Sequence, residues 1–311
     1  IVDRQVENAV SAWLSSQNVG PIYYGRFQNG RVEEFYPHHS PLSWKEMSQW
    51  GASHVAPIMA RFHSLQVPNS VLTRSNSDTR GDIFERVIEW MEMAETLCSQ
   101  SAKDDKAATL LLEQLKQDWQ WLQEALFPPK KSRTNNLSPA QQLAVDFLNE
   151  IVVTHMDLQS LNLLRDTTAT SMNENEDVIK VIDFEYAGFN PRAVDMANTF
   201  CEHCDMNNLR ADCANEYPSD QVQNEFVQSY SRRLSNNCSQ HVVLLDQYLD
   251  DPAFLDAART EIGRYTLVSH LSWAIWSVVQ AHMSDIDFDY IRYAQHRREG
   301  FEFMKDKCFS A

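Results

Sequence analysis

Apolar residues recur at three- and four-residue intervals along most of this chain, and that spacing is typical of helices with one buried face. It predicts helices at residues 3–15, 83–98, 107–126 and, as a long apolar run, Tyr265 to Met283. In the first helix we expect Val6, either Ala9 or Val10, and Trp13 on one face, the buried one. Pro57 interrupts the helical pattern of residues 43–66, so a helix should begin or bend there. The chain is therefore predicted to be mainly helical beyond about residue 43.

A few short segments have the β-branched and aromatic composition of strands. They are Ile22–Tyr24, Val32–Tyr36, Ile151–Thr154 and Val178–Ile182. The first two flank Asn29-Gly30, which predicts a hairpin. A polar loop, Arg165–Asp177, separates the last two, and Pro128–Pro139 is a polar, basic stretch typical of a linker. Few strands among many helices place the chain in the α+β class.

The charge balance and the cysteines restrict the classes of partner. Asp and Glu number 43 against 27 Lys and Arg, a net charge of −16. Binding of a nucleic acid or an anionic membrane requires a basic surface, so neither partner is expected. A small cationic ligand is compatible with the negative electrostatic potential of this protein. Six scattered cysteines favour reduced thiols and a cytoplasmic protein. The apolar run near residue 270 contains His270, Gln280 and His282, so we expect a buried helix and no membrane span.

The chain has only eight glycines, and no two of them lie within four residues of each other. This spacing excludes both a Walker A loop and a G-x-G-x-x-G motif from the sequence. Any nucleotide chemistry must therefore depend on other residues.

One constellation of polar residues stands at the ends of the two predicted central strands. His155-Met-Asp157 follows the first strand with Asn162 five residues beyond the aspartate, and Asp183-Phe184 follows the second. In protein kinases an H-x-D…N loop supplies the base that meets the acceptor hydroxyl, and a later Asp-Phe supplies a magnesium ligand. Amide and carboxylate oxygens are the hard ligands that Mg²⁺ requires. The conjunction predicts phosphoryl transfer.

Further segments make the resemblance more specific. The segments Asp157–Gln159, Asp183–Tyr186, Asp195–Glu202, Ser269–Ser277 and Phe288–Gln295 resemble the choline/ethanolamine kinase family. The likeness extends from about residue 3 to 305. It implies a two-lobed, protein-kinase-like fold, with residues 1–42 as a partial N-terminal lobe with hinge and residues 43–311 as a large, mainly helical C-terminal lobe. It also implies Mg²⁺, ATP and an acceptor that is choline, ethanolamine or both.

The resemblance implies a role for each matching residue. Asp157 would be the catalytic base with Gln159 beside it, and Asn162 and Asp183 would bind the metal. The backbone near Glu34 and Tyr36 would meet adenine, and Glu7 would offer a carboxylate to a basic residue that contacts the phosphates. That basic residue and a phosphate-covering loop would lie upstream of Ile1. We therefore expect the N-terminal lobe to be truncated and residues 1–311 alone to show weak or no turnover.

Aromatic residues near the C-terminal end predict the acceptor pocket. Trp273 and Trp276 are three apart, so they share one helix face, and Tyr290 and Tyr293 repeat that spacing after Phe288. A quaternary ammonium is held by aromatic faces because it cannot donate strong hydrogen bonds.

Charged residues complete the prediction. A primary ammonium would require oxygen acceptors, for which Glu202 and Asp287 are the candidates. His155, Glu185, Arg192 and Asp195 are expected to support the site, the last two by bracing the catalytic loop.

Several alternatives stay open at this point. An aminoglycoside- or sugar-type phosphotransferase shares the same catalytic logic, and an inactive ligand-binding pseudokinase would share the sequence motifs. Cys201-Glu-His203-Cys204 could suggest zinc, although a structural site needs four ligands. The preference between choline and ethanolamine is open, and a homodimer is possible.

Overall fold

The computed structural model describes residues 2–73, 80–100, 106–127, 137–169, 178–206, 208–209, 212–234 and 241–309. Its helices are α1 (Arg4–Ser16), α2 (Trp44–Trp50), α3 (Ala56–His63), α4 (Asp82–Gln100), α5 (Lys106–Leu126), α6 (Pro139–Leu148), α7 (Arg192–Cys201), α8 (Cys213–Glu216), α9 (Asp220–Arg233), α10 (Val242–Tyr248), α11 (Pro252–Met283) and α12 (Tyr290–Phe309). Its strands are β1 (Tyr23–Phe27), β2 (Gly30–Glu33), β3 (His39–Pro41), β4 (Ile151–Thr154), β5 (Leu163–Asp166), β6 (Ile179–Val181) and β7 (Gly188–Pro191). Most of the predicted linker, 128–136, and part of the predicted loop, 170–177, lie outside the described residues.

The N-terminal part consists of α1 and a hairpin. Asp3 caps α1 by accepting hydrogen bonds from two backbone N–H groups of its first turn. The predicted hairpin is confirmed, since β1 and β2 pair antiparallel across residues 28 and 29. The expected buried face of α1 is wrong in part, because Val6 is exposed and Glu7 is buried instead. Burial of Glu7 is possible because two arginines neutralise its carboxylate.

Short antiparallel strands support the middle of the chain. The order β3-β5-β6 forms one sheet, and β4 pairs with β7 in another. The two central strands predicted from sequence are confirmed as β4 and β6, while β3, β5 and β7 were not predicted. Pairing of β3 with β5 ties the segment after the hairpin to the strand that follows the predicted catalytic loop.

Helix α11 is the centre of the helical part. Residues such as Leu267, Val268, Leu271 and Ile275 are fully buried on it, and it packs against α4, α5, α6, α7 and α12. The predicted buried helix is thus confirmed. Pro57 lies in the first turn of α3, as expected, after a π-helical turn at Gly51–Val55. Among the described residues, no helix combines the length and apolarity needed to cross a membrane.

Candidate active site

The strand register brings the three predicted catalytic and metal-binding residues to one place. Asp157 and Asn162 lie on the loop between β4 and β5, and Asp183 follows β6. Leu163 pairs with Val181, and the Ile182 N–H donates to the carbonyl oxygen of Asn162 at 3.1 Å. Residues 162 and 183 therefore stand side by side at the ends of adjacent strands.

Two side-chain amides orient the carboxylate of Asp157. Asn162 Nδ2 donates to Asp157 Oδ2 at 2.9 Å and to the Asp157 carbonyl at 2.8 Å, and Gln159 Nε2 donates to the same Oδ2 at 3.2 Å. Burial raises the pKa of Asp157 well above its usual value, and the negative charge of Glu202 raises it further. A raised pKa makes this carboxylate a stronger proton acceptor.

The oxygens that could bind a metal are left open by the same geometry. Since Asn162 uses Nδ2 for both contacts, its Oδ1 points away from Asp157, and no hydrogen bond from the described residues reaches it. Asp183 has an exposed side chain and a left-handed backbone with φ of 67°. Its carboxylate also accepts no hydrogen bond from a described residue.

Asp195, in the first turn of α7, holds the backbone of the predicted catalytic loop, residues 155–162. Its Oδ2 accepts from the N–H of His155 at 2.7 Å, and its Oδ1 accepts from the N–H of Met156 at 2.8 Å. Met156 has a φ of 72°, a strained conformation for a residue with a side chain. Two charge-assisted hydrogen bonds to one buried carboxylate stabilise that conformation.

A buried chain of polar groups continues from Asp195 to the far side of α7. His63 Nε2 donates to Asp195 at 3.0 Å, and the hydroxyl of Tyr230 donates to His63 Nδ1 at 2.7 Å. Arg192 donates to the Tyr230 oxygen at 2.8 Å and pairs with Glu150 at 2.9 Å. Burial lowers the pKa of His63, so this imidazole is neutral and carries its proton on Nε2.

His155 lies between the loop and the residue before Asp183. Its Nε2 donates to the carbonyl of Ile182 at 3.0 Å, and its Nδ1 accepts from the N–H of Asp157 at 3.3 Å. Burial lowers its pKa, consistent with this neutral tautomer. Phe184 packs 5.1 Å from the His155 ring and stacks on Phe62 at 5.8 Å. The imidazole thus couples the Asp157 loop to the Asp183 segment.

The predicted aromatic residues form one cluster with a member that the sequence argument omitted. Trp273 and Trp276 have ring centroids 5.4 Å apart, and Tyr186 lies 5.5 Å from Trp273. Tyr290 lies 6.0 Å from Trp276. Phe288 contacts Tyr290 at 5.0 Å, and also contacts Tyr293, at 5.7 Å. We call these six residues the aromatic cage.

Both indole N–H groups of the cage already have acceptors. Trp276 Nε1 donates to the hydroxyl of Tyr186 at 3.0 Å, and Trp273 Nε1 donates to Asn198 Oδ1 at 2.8 Å. Both tryptophans are only partly buried, so ring surface remains available. With the N–H groups satisfied, that surface favours an apolar or cationic ligand.

The cage lies beside the segment that carries Asp157, because one cavity is lined by Met156 together with Tyr186 and Trp273 of the cage. Burial raises the pKa of Tyr293, and the nearby charges of Glu202 and Asp157 raise it further. Burial likewise raises the pKa of Tyr186, with Asp157 among the contributing charges. By contrast, Asp287 is exposed, and no hydrogen bond or ion pair joins it to the cage within the described residues.

The residues predicted for the nucleotide lie at the N-terminal side. Both oxygens of Glu7 are paired, one with Arg4 at 2.6 Å and the other with Arg31, and Arg4 also reaches Glu185 at 3.1 Å. The partners of Glu7 are thus two arginines of this segment. Burial raises the pKa of Glu185.

The predicted hinge follows β2. The N–H of Glu34 donates to the Ile22 carbonyl at 2.8 Å, and its side chain accepts from the Ile22 N–H at 3.1 Å. Tyr36 is half-buried, and burial raises its pKa to about 12. Its ring lies 5.3 Å from His39, at the wall of an open cleft of about 950 Å³.

The cysteine segment does not assemble a metal site among the residues described. No group of three or more His, Cys, Asp or Glu side chains there could hold an ion. Cys201 and Cys204 are buried, and neither ring nitrogen of His203 has a hydrogen-bond partner among the described residues.

Sequence reasoning missed several residues that shape the site. Tyr186 follows Asp183-Phe-Glu directly, so its position beside the motif was a usable signal. His63, Tyr230 and Asn198 had no such signal, because their partners lie far away in sequence; His63 and Asp195 are 132 residues apart.

The arrangement of a small N-terminal part, a catalytic loop between short strands and a large helical part is that of a protein-kinase-like phosphotransferase. Two solved structures share it. A choline kinase from Cryptosporidium parvum Iowa II aligns with a TM-score of 0.72 and 25% identity, covering 99% of this chain and 79% of its own. An ethanolamine kinase from Plasmodium vivax aligns with a TM-score of 0.71 and 21% identity, covering 97% and 73%. The predicted fold class is confirmed.

Sequence comparison gives the family. A family model described as choline/ethanolamine kinase matches residues 1–302. "Probable choline kinase 2" of Arabidopsis thaliana is 28% identical over 99% of this chain and 75% of its own length. The human protein named choline/ethanolamine kinase is 28% identical, with 98% and 69% covered. The chain belongs to the choline/ethanolamine kinase family, as its motifs predicted.

Proposed function

We propose that this protein transfers the γ-phosphoryl group of ATP to the hydroxyl of choline, ethanolamine or both, giving phosphocholine or phosphoethanolamine. The observation that carries the proposal is a cavity lined both by Met156, next to Asp157 in the chain, and by Tyr186 and Trp273 of the aromatic cage. An amino alcohol has its cationic nitrogen two carbons from its hydroxyl. A cage for the cation next to a base for the hydroxyl fits that molecule.

Asp157 acts on the acceptor. Its carboxylate takes the hydroxyl proton as the oxygen attacks the terminal phosphorus and ADP leaves, so the proton ends on Asp157 and the phosphoryl group on the amino alcohol. Asn162 and Gln159 fix the direction of the carboxylate. Asp195 fixes the loop that carries it. These contacts are made before the substrate arrives, so the base is preorganised.

The residues present fit a magnesium ion. Asn162 Oδ1 and the Asp183 carboxylate are hard oxygens without protein partners among the described residues, and they stand at adjacent strand ends. Mg²⁺ keeps several of its ligands as water and phosphate oxygens, so two protein oxygens suffice. When bound, it would neutralise the negative charge that develops on the phosphates during transfer.

The remaining predicted residues complete the site. Glu34 and Tyr36 present backbone groups to adenine. Glu7 holds Arg4 and Arg31 in place on the nucleotide side of the site. The cage binds a quaternary ammonium by its ring faces. Glu202 supplies the acceptor for a primary ammonium. Relatives named for choline and for ethanolamine support both substrates.

The test is an acceptor screen with the full-length protein. We expect Mg²⁺-dependent formation of phosphocholine or phosphoethanolamine, and Asp157→Asn should lower kcat by roughly 10²–10⁴-fold because proton acceptance is lost. Asp256→Asn, an exposed carboxylate on α11, is the matched control.

The alternatives predict different results. Phosphorylation of an aminoglycoside in preference to both amino alcohols would identify the related phosphotransferase. Magnesium-dependent nucleotide binding without turnover of any acceptor would identify a pseudokinase. Retention of turnover by Asp157→Asn would remove Asp157 as the base.

A further inference from the structure

Arg297 on α12 is completely buried next to the aromatic cage. Its Nη2 donates to the hydroxyl of Ser269 at 3.0 Å and to the Ser269 carbonyl at 3.3 Å. Its Nη1 lies 3.8 Å from a carboxylate oxygen of Glu202, and its guanidinium carbon lies 5.9 Å from the centre of the Tyr293 ring. One buried cation thus contacts an acidic residue and an aromatic residue of the candidate pocket.

A second connection leads from Arg297 to Trp273. The hydroxyl of Ser269, which accepts from Arg297, donates to Asn198 Oδ1 at 2.9 Å. That oxygen also accepts from Trp273 Nε1 at 2.8 Å. Two donors on one oxygen fix the direction of the Asn198 amide, and its Nδ2 has no hydrogen-bond partner among the described residues. The orientation of the Trp273 ring therefore depends on Arg297 through two intermediate side chains.

The burial of Arg297 costs free energy of folding, which suggests that this arginine serves a function other than packing. Its Nε and Nη1 donate no hydrogen bond to any described residue, although a guanidinium has five N–H donors and each unpaired donor is costly in the interior. An arginine that only packed the core would be replaced by an apolar residue without that cost. Its hydrogen bonds to Ser269 lead on to Trp273, and its other contacts described above are with Glu202 and Tyr293.

We infer that Arg297 is a positioning residue for the cation-binding end of the acceptor pocket. It fixes Glu202 and Tyr293 directly, and Trp273 through Ser269 and Asn198, so one buried cation sets both the anion and the rings that meet the substrate nitrogen. This inference rests on the proposed function. It also predicts specificity, because Arg297 restrains the carboxylate that a primary ammonium would use while it orders the rings that a quaternary ammonium needs.

Removal of Arg297 should affect the two amino alcohols unequally. In Arg297→Met the rings lose their common support, so choline binding should weaken by roughly ten- to thirty-fold, the range of a desolvated cation–π contact. Ethanolamine should lose less, since the released Glu202 carboxylate can accept its N–H groups. Arg297→Lys keeps the charge but not the two-point contact with Ser269. Its affinity for choline should therefore lie between those of the unsubstituted protein and Arg297→Met.

The experiment compares equilibrium binding and kinetics in the full-length protein. Choline and ethanolamine are titrated calorimetrically against the unsubstituted protein, Arg297→Met, Arg297→Lys and Ser269→Ala, and KM is measured for each amino alcohol and for ATP. The matched control is Arg298→Met, the next residue on α12, which pairs with Asp118 and Glu302 away from the cage. In Arg297→Met we expect the ratio of the affinities for choline and ethanolamine to change, while KM for ATP stays within about twofold of that of the unsubstituted protein. In the control this ratio of affinities should not change.

Each outcome decides the inference. A folded Arg297→Met with an unchanged ratio, or with equal losses for ATP and both amino alcohols, overturns it. If that variant does not fold, Ser269→Ala decides, since it removes only the connection to Trp273 and should weaken choline more than ethanolamine. Amino alcohol binding without turnover in the unsubstituted protein would overturn the proposed catalysis while the binding ratio still tests Arg297. Absence of binding would overturn both.

Discussion

At the scale of single residues, Trp273 and Trp276 lie three residues apart on α11, but different residues hold their rings in place. Trp273 contacts Trp90 and donates to Asn198, whereas Trp276 contacts Tyr290 and donates to Tyr186. Their neighbours on α11 are buried, but both indoles keep exposed surface. Spacing therefore placed them on one face, and their partners determine which part of a ligand each can meet.

Trp276→Leu should separate the two substrates. Loss of the ring removes a cation–π contact worth up to about 2 kcal/mol, so KM for choline should rise by roughly ten- to thirty-fold. Ethanolamine should be less affected, because its ammonium can use oxygen acceptors. Trp121→Leu is the control, since Trp121 packs on Phe301 and Phe309 instead. Equal increases in KM for both amino alcohols would contradict the cage.

At the scale of secondary-structure elements, three helices support the predicted catalytic loop through a chain of hydrogen bonds that ends at Asp195. α7 contributes Asp195 and Arg192, α3 contributes His63 and α9 contributes Tyr230. The Tyr230 hydroxyl is the junction, because it donates to His63 and accepts from Arg192. The position of the base thus depends on how these helices pack.

Tyr230→Phe should lower stability and turnover together. It removes the donor to His63 Nδ1 and the acceptor of an Arg192 N–H from the interior, at a cost of about 1–3 kcal/mol in the free energy of unfolding. Looser support of Asp195 should also lower kcat several-fold at unchanged KM for ATP. Tyr248→Phe is the control, since that hydroxyl bonds to no described residue. Urea denaturation and steady-state kinetics make the comparison, and identical behaviour of the two variants would exclude the proposed junction.

At the scale of the whole molecule, buried histidines make stability depend on pH. Burial lowers the pKa of His63, His155, His203 and His270, that of His203 to about 4. In the unfolded chain each histidine titrates near about 6.5. Below that pH the unfolded state binds more protons, so the free energy of unfolding decreases as the pH falls toward the folded pKa.

His203→Phe should flatten this dependence. His203 is buried, and neither of its ring nitrogens is hydrogen-bonded to a described residue. Between about pH 6.5 and about 4 it therefore accounts for a slope of up to about 1.4 kcal/mol per pH unit in the free energy of unfolding. The substitution removes that slope and two unpaired polar atoms, so the variant should gain in relative stability as the pH falls. Urea unfolding at pH 7.5 and pH 5 measures it. An equal change in the free energy of unfolding between the two pH values in both proteins would contradict a role of His203 in the pH dependence.

The sequence alone predicted features that neighbouring residues encode. The helical periodicity, the hairpin at Asn29-Gly30 and the strands before Asp157 and Asp183 are all local, and they were confirmed. The fold class and the family followed from motifs with fixed spacing. For the same reason the residues of the catalytic loop and the tryptophan pair could be proposed without coordinates, because one loop and one helix turn carry them.

Only the tertiary structure decided how those residues are supported. Strands β3, β5 and β7 have three or four residues and are strands because of their pairing partners, which no local pattern reveals. The structure also decided that Glu7 is buried against two arginines, and that Asp287 is exposed. Burial of the Glu7 charge depends on Arg31, 24 residues away, as well as on the neighbouring Arg4, and a contact such as His63 to Asp195 spans 132 residues. Local sequence therefore determined which groups could act, and long-range packing determined what each of them meets.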